Sequence, residues 1–296
     1  MPAKALPFIL LQGFLFGSTL IASRFAVGQY QPTTYIGMRL VLASLVHLGI
    51  YLVASRRRPW PRNLGLWRHA AVLGVFGTAI PMTGIVTSLQ YQSAGLTAVL
   101  LTAGPALTVL MANFALQDET LTPRKGAGVA LALGGALLLI VLGESGLPDV
   151  SRASPVGYAL VLLAMFSASV TTVYARKFMR GCDAFDVASV RMFTAALAIM
   201  PLSILLVGFD LSGVNAQGYF ALVYAALVGT FLGMMLAFYN IKRFGATASA
   251  MPVYVIPVVS GILGALLLGE KITAGMAVGM GLIAAGIALA NQRARG

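Results

Sequence analysis

Apolar residues run along this chain in long stretches, neither alternating in twos nor confined to one helical stripe. Ten stretches reach or approach the ~20 residues a helix needs to cross a hydrocarbon core of ~30 Å. They fall at 6–26, 33–54, 70–90, 95–116, 125–142, 156–175, 185–207, 217–239, 247–268 and 274–291. Barrel strands would alternate apolar and polar positions over about ten residues, whereas these runs are continuous and rich in Leu, Ala and Gly. In hydrocarbon every backbone N–H and C=O needs an internal partner, which a helix supplies. The pattern predicts an all-α membrane protein with ten transmembrane helices.

The polar breaks carry the orientation. With the N-terminus in the cytoplasm, that side holds Lys4, then Arg56, Arg57, Arg58, Arg62 and Arg68, then Arg124 and Lys125. It also holds Arg176, Lys177 and Arg180, then Lys242 and Arg243, and finally Arg293 and Arg295. The outside receives only Arg24, Arg152 and Lys271, while Arg39 and Arg191 lie inside spans. The positive-inside rule then predicts that both termini are cytoplasmic. The segment RRRPWPRNLGLWRH, with Trp60 and Trp67, reads as an interfacial anchor on an anionic leaflet.

Composition sharpens this picture. Of 296 residues, 59% are hydrophobic and only 9% charged, and the mean hydropathy is +0.90. A water-soluble domain of this size does not hide so much apolar surface. That excludes a soluble enzyme and a disordered chain, and the single Cys182 excludes an internal disulfide. The net charge of +12 does not indicate nucleic-acid binding, because it is spread over cytoplasmic loops and tails. Only Lys4 precedes the first run, which is too long and lacks a small-residue cleavage site, so it is not read as a leader peptide.

The two halves, 1–150 and 151–296, resemble each other. Arg24, Arg39 and Pro105 recur as Arg176, Arg191 and Pro257 at an offset of 152. LQDETLT (116–122) aligns with LLGEKIT (267–273), setting Glu119 against Glu270 and Thr122 against Thr273. Gly128 and Gly135 meet Gly279 and Gly286, and Gly95 and Thr97 meet Gly245 and Thr247. Each half holds five predicted spans. An odd number places the second repeat upside down relative to the first, a duplication that recurs in secondary transporters with a site near the midplane.

Ten short helices in two inverted repeats, an Arg in the second helix of each half, and a Pro…(G/D)E stretch closing the fourth resemble the drug/metabolite transporter superfamily. Within it the chain resembles the EamA-type ten-helix transporters over residues 6–291. That resemblance implies export of amino acids and other metabolites, and the overall sequence looks closest to bacterial inner-membrane amino-acid exporters, including aromatic ones.

The acidic residues are informative by position. Asp118, Glu119, Glu144, Asp149, Asp183, Asp186, Asp210 and Glu270 all lie at predicted span ends or in loops. Proton coupling generally needs a titratable group at depth. The four-helix multidrug relatives carry a glutamate in their first helix, where this chain has Gln12 as the only large polar group. Transport is therefore expected to be uncoupled. His47 in the second span is read as an interior histidine with a hydrogen-bond partner, or else as the one titratable group at depth. A coupled carrier would otherwise have to use Glu119 or Glu270 from the rim.

Catalysis and ATP use find no support. GALLLGEK (264–271) lacks the lysine position of a phosphate loop. His47 and His69 lack a carboxylate at depth, and Cys182 lacks a neighbouring histidine. No enzyme, cofactor, metal site or ATPase subunit is expected; the partners are the lipid bilayer and small-molecule substrates.

The candidate substrate cavity is built from neutral polar groups near mid-span: Gln12, Ser18, Thr78, Thr83, Thr102, Ser167, Tyr224 and Tyr254, with Thr87, Ser169, Thr230 and Ser260 behind them. Serines and threonines in membrane helices also satisfy their own backbone carbonyls. A buried phenol wants a partner and can stack on a ligand. Arg39 and Arg191 each lie about six residues, or ~9 Å, inside their spans. They read as gates or carboxylate contacts, with Asp183 or Asp186 within sequence reach of Arg191, or as side chains reaching for the interface. Pro81, Pro201, Pro252 and Pro257 mark helix weak points, either hinges for alternating access or static kinks.

Overall fold

The computed structural model describes residues 3–56, 58–116, 121–179 and 181–291, and it is helical almost throughout. We label the helices α1 (Leu6–Ala26), α2 (Pro32–Val53), α3 (Leu64–Ser88), α4 (Ala94–Ala115) and α5 (Pro123–Val141). The second half holds α6 (Pro155–Phe178), α7 (Ala184–Val207), α8 (216–250), α9 (Pro252–Leu268) and α10 (Ala274–Asn291). Eight of them, α1 to α8, contain windows long and apolar enough to cross a membrane, and α9 and α10 are apolar but shorter.

The boundaries follow from local chemistry. Pro stands in the first turn of α1, α2, α5, α6 and α9, where its missing N–H costs nothing. Ser93, Thr122, Ser154, Asp183 and Asn215 cap their helices by accepting backbone N–H bonds. Gly269, at φ +65°, ends α9 in the left-handed conformation that glycine adopts without strain.

Three elements differ from the sequence reading. The break expected at 240–246 is helical, and α8 runs to Ala250 before the chain turns at Met251. The fourth span is interrupted at Thr102–Ala103 and restarts at Gly104, with Pro105 in the new first turn. Pro81 does not end α3. The helix widens into a π-turn over Val75–Ala79 just before it, and α8 carries the corresponding π segment at Ala225–Leu232.

Packing crosses between the halves. α1 lies against α8 and α9, and α6 lies against their counterparts α3 and α4. α2 pairs with α7 and α5 with α10. The α5–α10 contact is nearly backbone on backbone. A methyl at Gly128 would sit 2.5 Å from the Gly286 carbonyl oxygen and 2.6 Å from the Ala290 nitrogen. Gly135 faces Gly279 in the same way, so the glycines that match in sequence pair crosswise in space. Small residues that admit this approach are the usual basis of helix association in lipid.

Candidate functional site

The two buried arginines are held by the π-turns of the opposite half. Arg39 on α2 donates from Nε to Thr230 Oγ1 at 2.7 Å, and Arg191 on α7 donates from Nε to Thr78 Oγ1. Thr78 and Thr230 are themselves 152 residues apart. Each hydroxyl also donates five residues back, Thr78 to Leu73 O and Thr230 to Ala225 O, a reach that the wider π-turn creates. Arg39 adds a long contact to Ser23 Oγ at 3.4 Å, and Arg191 Nη2 donates to Gly77 O. Among the described residues neither guanidinium forms an ion pair. Arg191 meets neither expected carboxylate: Asp183 caps α7 and bridges Arg58 at 3.4 Å, and Asp186 accepts from Tyr51.

The neutral polar candidates do not converge on one cavity. Ser18 and Tyr224 come together, oxygen to oxygen at 2.8 Å. They line a cleft of about 330 Å3 between α1, α8 and α9, walled by Phe14, Phe25 and Phe220. The equivalent helices α6, α3 and α4 enclose a second cleft of about 400 Å3 at the α4 interruption. There Thr108 donates to both Ser169 Oγ and the Gly104 carbonyl at 3.0 Å, beside Pro81 and Pro105. The sequence does not single out Thr108 and Gly104; the matched Pro105 and Pro257 are the signal it offers for this site.

The other candidates lie apart. Gln12 is buried in the α1–α8 seam and accepts from Asn240 Nδ2 at 2.7 Å, a partner that sequence reading did not single out. Thr83 has a buried hydroxyl with no partner among the described residues, in a cleft between α3, α6 and α7. Thr102 donates to its own helix at Val99 O, and Ser167 donates to Phe76 O. Tyr254 packs half-buried against the cluster that joins α4, α5 and α10. Pro252 opens α9 rather than bending it, while Pro257 is buried within that helix. His47 is buried, with Nδ1 against Ala43 O at 2.8 Å and its ring between Phe185 and Phe231.

Glu270 lies where the sequence puts it, in the loop between α9 and α10, but it is not open to solvent. It is buried, and it accepts the Ala94 N–H at 3.0 Å and the Gly95 N–H at 3.4 Å, at the N-terminus of α4. Arg24 Nε lies 3.6 Å from its carboxylate. Burial pushes the Glu270 carboxyl above its ordinary value, and the two N–H donors and Arg24 pull back against that. Its repeat mate Glu119 lies outside the described residues.

A bundle of apolar helices with two halves trading helices defines a multi-pass membrane protein of the transporter type. The EamA-like transporter family matches the chain twice, over residues 3–141 and 155–292, and the chain belongs to that family. It is similar to an "Uncharacterized transporter" of Archaeoglobus fulgidus, 23% identical over 92% of this chain and 93% of that one. The inner membrane transporter YedA of Escherichia coli is 25% identical over 88% of this chain and 81% of its own. A "Probable amino-acid metabolite efflux pump" of Salmonella typhimurium is 27% identical over 94% and 91%. One solved crystal structure shares the fold at a TM-score of 0.67, with 22% identity, 100% of this chain and 99% of that chain covered.

Proposed function

We propose that this protein is a ten-span carrier of the cytoplasmic membrane, both termini inside, that exports amino acids and related small metabolites by alternating access without ion coupling. The observation that carries this reading is the reciprocal pair Arg39–Thr230 and Arg191–Thr78. Each half grips the other through the same contact, so exchanging the conformations of the halves turns an opening on one side into an opening on the other. The arginines and π-turns are the pivots of that exchange, and Pro81 and Pro257 lie on helices that move. Ser18, Tyr224, Thr108 and Ser169 offer hydroxyls beside aromatic and apolar walls, which suits a zwitterion with an apolar side chain. The Salmonella relative's name supports the substrate class.

The test is counterflow in liposomes preloaded with unlabelled amino acids, with and without an imposed pH gradient. Entry of label regardless of the gradient is expected. No counterflow by folded protein overturns the substrate class. One observation favours a second reading, proton-coupled export: Glu270 is a buried carboxylate next to Arg24. Uptake that requires the gradient and is lost in Glu270→Gln would establish that reading instead.

A further inference from the structure

Between α2 and α7 lies a lateral groove of about 340 Å3. Its walls are Val41, Ser44 and Leu45 from α2 and Phe193, Ala196 and Leu197 from α7. These two triplets are repeat mates, each offset by 152, so the groove straddles the relation between the halves. Its rim does not share that symmetry. Trp60 and Trp67 cover one end, where the repeat positions on the other side are Ser212 and Tyr219.

Trp60 packs on Phe193 at 5.4 Å and on Tyr51 at 5.1 Å between ring centroids. The Trp67 indole N–H is engaged by Pro61 O at 2.8 Å. The segment that carries Trp60 also carries the exposed cations Arg56 and Arg62, together with Arg58, which is engaged with Asp183 and lies 4.5 Å over the Phe185 ring. The wall is apolar throughout: the Ser44 hydroxyl is buried behind it, with no hydrogen-bond partner among the described residues, and its mate on α7 is Ala196. Leu45 and Leu197 are 55% and 70% exposed, leaving the groove open sideways.

We propose that this groove is a binding site for one anionic phospholipid. An acyl chain lies along the α2–α7 seam, and the phosphate sits among Arg56, Arg62 and the indole of Trp60. Charge selects the occupant. The cations at one end match an anionic headgroup, and the apolar trough below them matches a chain, which is the arrangement by which membrane proteins take specific lipids.

The experiment is thermal unfolding of the purified, delipidated protein in neutral detergent, with phosphatidylglycerol, phosphatidylcholine or inorganic phosphate added, alongside native mass spectrometry. Phosphatidylglycerol should raise the midpoint by about 2–4 °C and remain bound at one per chain. The shift should vanish in R56Q/R62Q and in Leu197→Trp, which fills the trough. Leu45→Trp fills it from the other helix, should Leu197→Trp fold poorly. Three results overturn the proposal: an equal shift with phosphatidylcholine, the same shift with inorganic phosphate alone, or a groove occupied by a second copy, seen as a dimer whose mass splits when lipid is added. Persistence of the phosphatidylglycerol shift in both filled variants overturns it as well.

Discussion

Arg39 and Thr230 stand 191 residues apart in sequence and 2.7 Å apart in space, and Arg191 and Thr78 repeat the same contact from the other half. Both contacts are made at once in a single conformation. Two gates that alternate would instead be made one at a time, which is why we read these pairs as pivots that persist while the halves exchange roles.

Removing either pivot hydroxyl should therefore have matching consequences. Thr230→Val and Thr78→Val each leave a buried guanidinium N–H without its acceptor, a loss of about 1–3 kcal/mol. Thermal unfolding should drop comparably in both, and the losses should add in the double variant because the sites are separate. A large loss in one and none in the other would show that the pairs are not equivalent.

The α5–α10 seam tolerates no side chain at its closest points. Gly128→Ala drives a methyl to within 2.5 Å of the Gly286 carbonyl oxygen, so the helices must separate, at about 1–3 kcal/mol. Gly286→Ala meets Gly128 O and the Ala132 nitrogen, each at 2.5 Å, and should cost about as much. Gly134, where an added methyl meets no atom of the described residues within 4 Å, is the control whose alanine variant should unfold like the parent.

Glu270 predicts a pH dependence with a definite sign. Its carboxyl is held above the ordinary value while buried against α4, so a state closed around Glu270 at this end holds a proton more firmly than one opened to expose it to water. That contribution to closure is fully present below the ordinary carboxylate value and fades as pH rises through the raised one. Acid should slow opening at this end. Glu270→Gln mimics the protonated side chain, keeps an oxygen for the Ala94 N–H, and should flatten the profile of the counterflow rate. Glu270→Ala should destabilise the fold by about 1–3 kcal/mol through unsatisfied N–H groups at Ala94 and Gly95.

Ser18 and Tyr224 separate binding from folding. Tyr224→Phe removes one hydroxyl–hydroxyl contact, worth about 1 kcal/mol at most, in a cleft walled by aromatic rings. Counterflow should show a raised KM with little change in unfolding temperature. An unchanged KM for every amino acid tried would take this cleft out of the transport path.

That the chain is helical, membrane-embedded and doubled is already legible in its residues. Unbroken apolar runs can satisfy their backbone in lipid only as helices, and the ordered matches from Arg24 to Gly286 record the repeat. The caps and first-turn prolines, from Thr122–Pro123 to Ser154–Pro155, also make their helix starts legible. What touches what was decided only in three dimensions. Lipid is as apolar as a protein core, so hydropathy does not distinguish the face of α1 that packs on α9 from a face turned to hydrocarbon. Tertiary structure alone joined Gln12 to Asn240 and buried Glu270 against the N-terminus of α4. It also crossed the arginines of each half onto the π-turn of the other. Burying an arginine in such a bundle demands an acceptor nearby, but which threonine supplies it depends on how the helices cross.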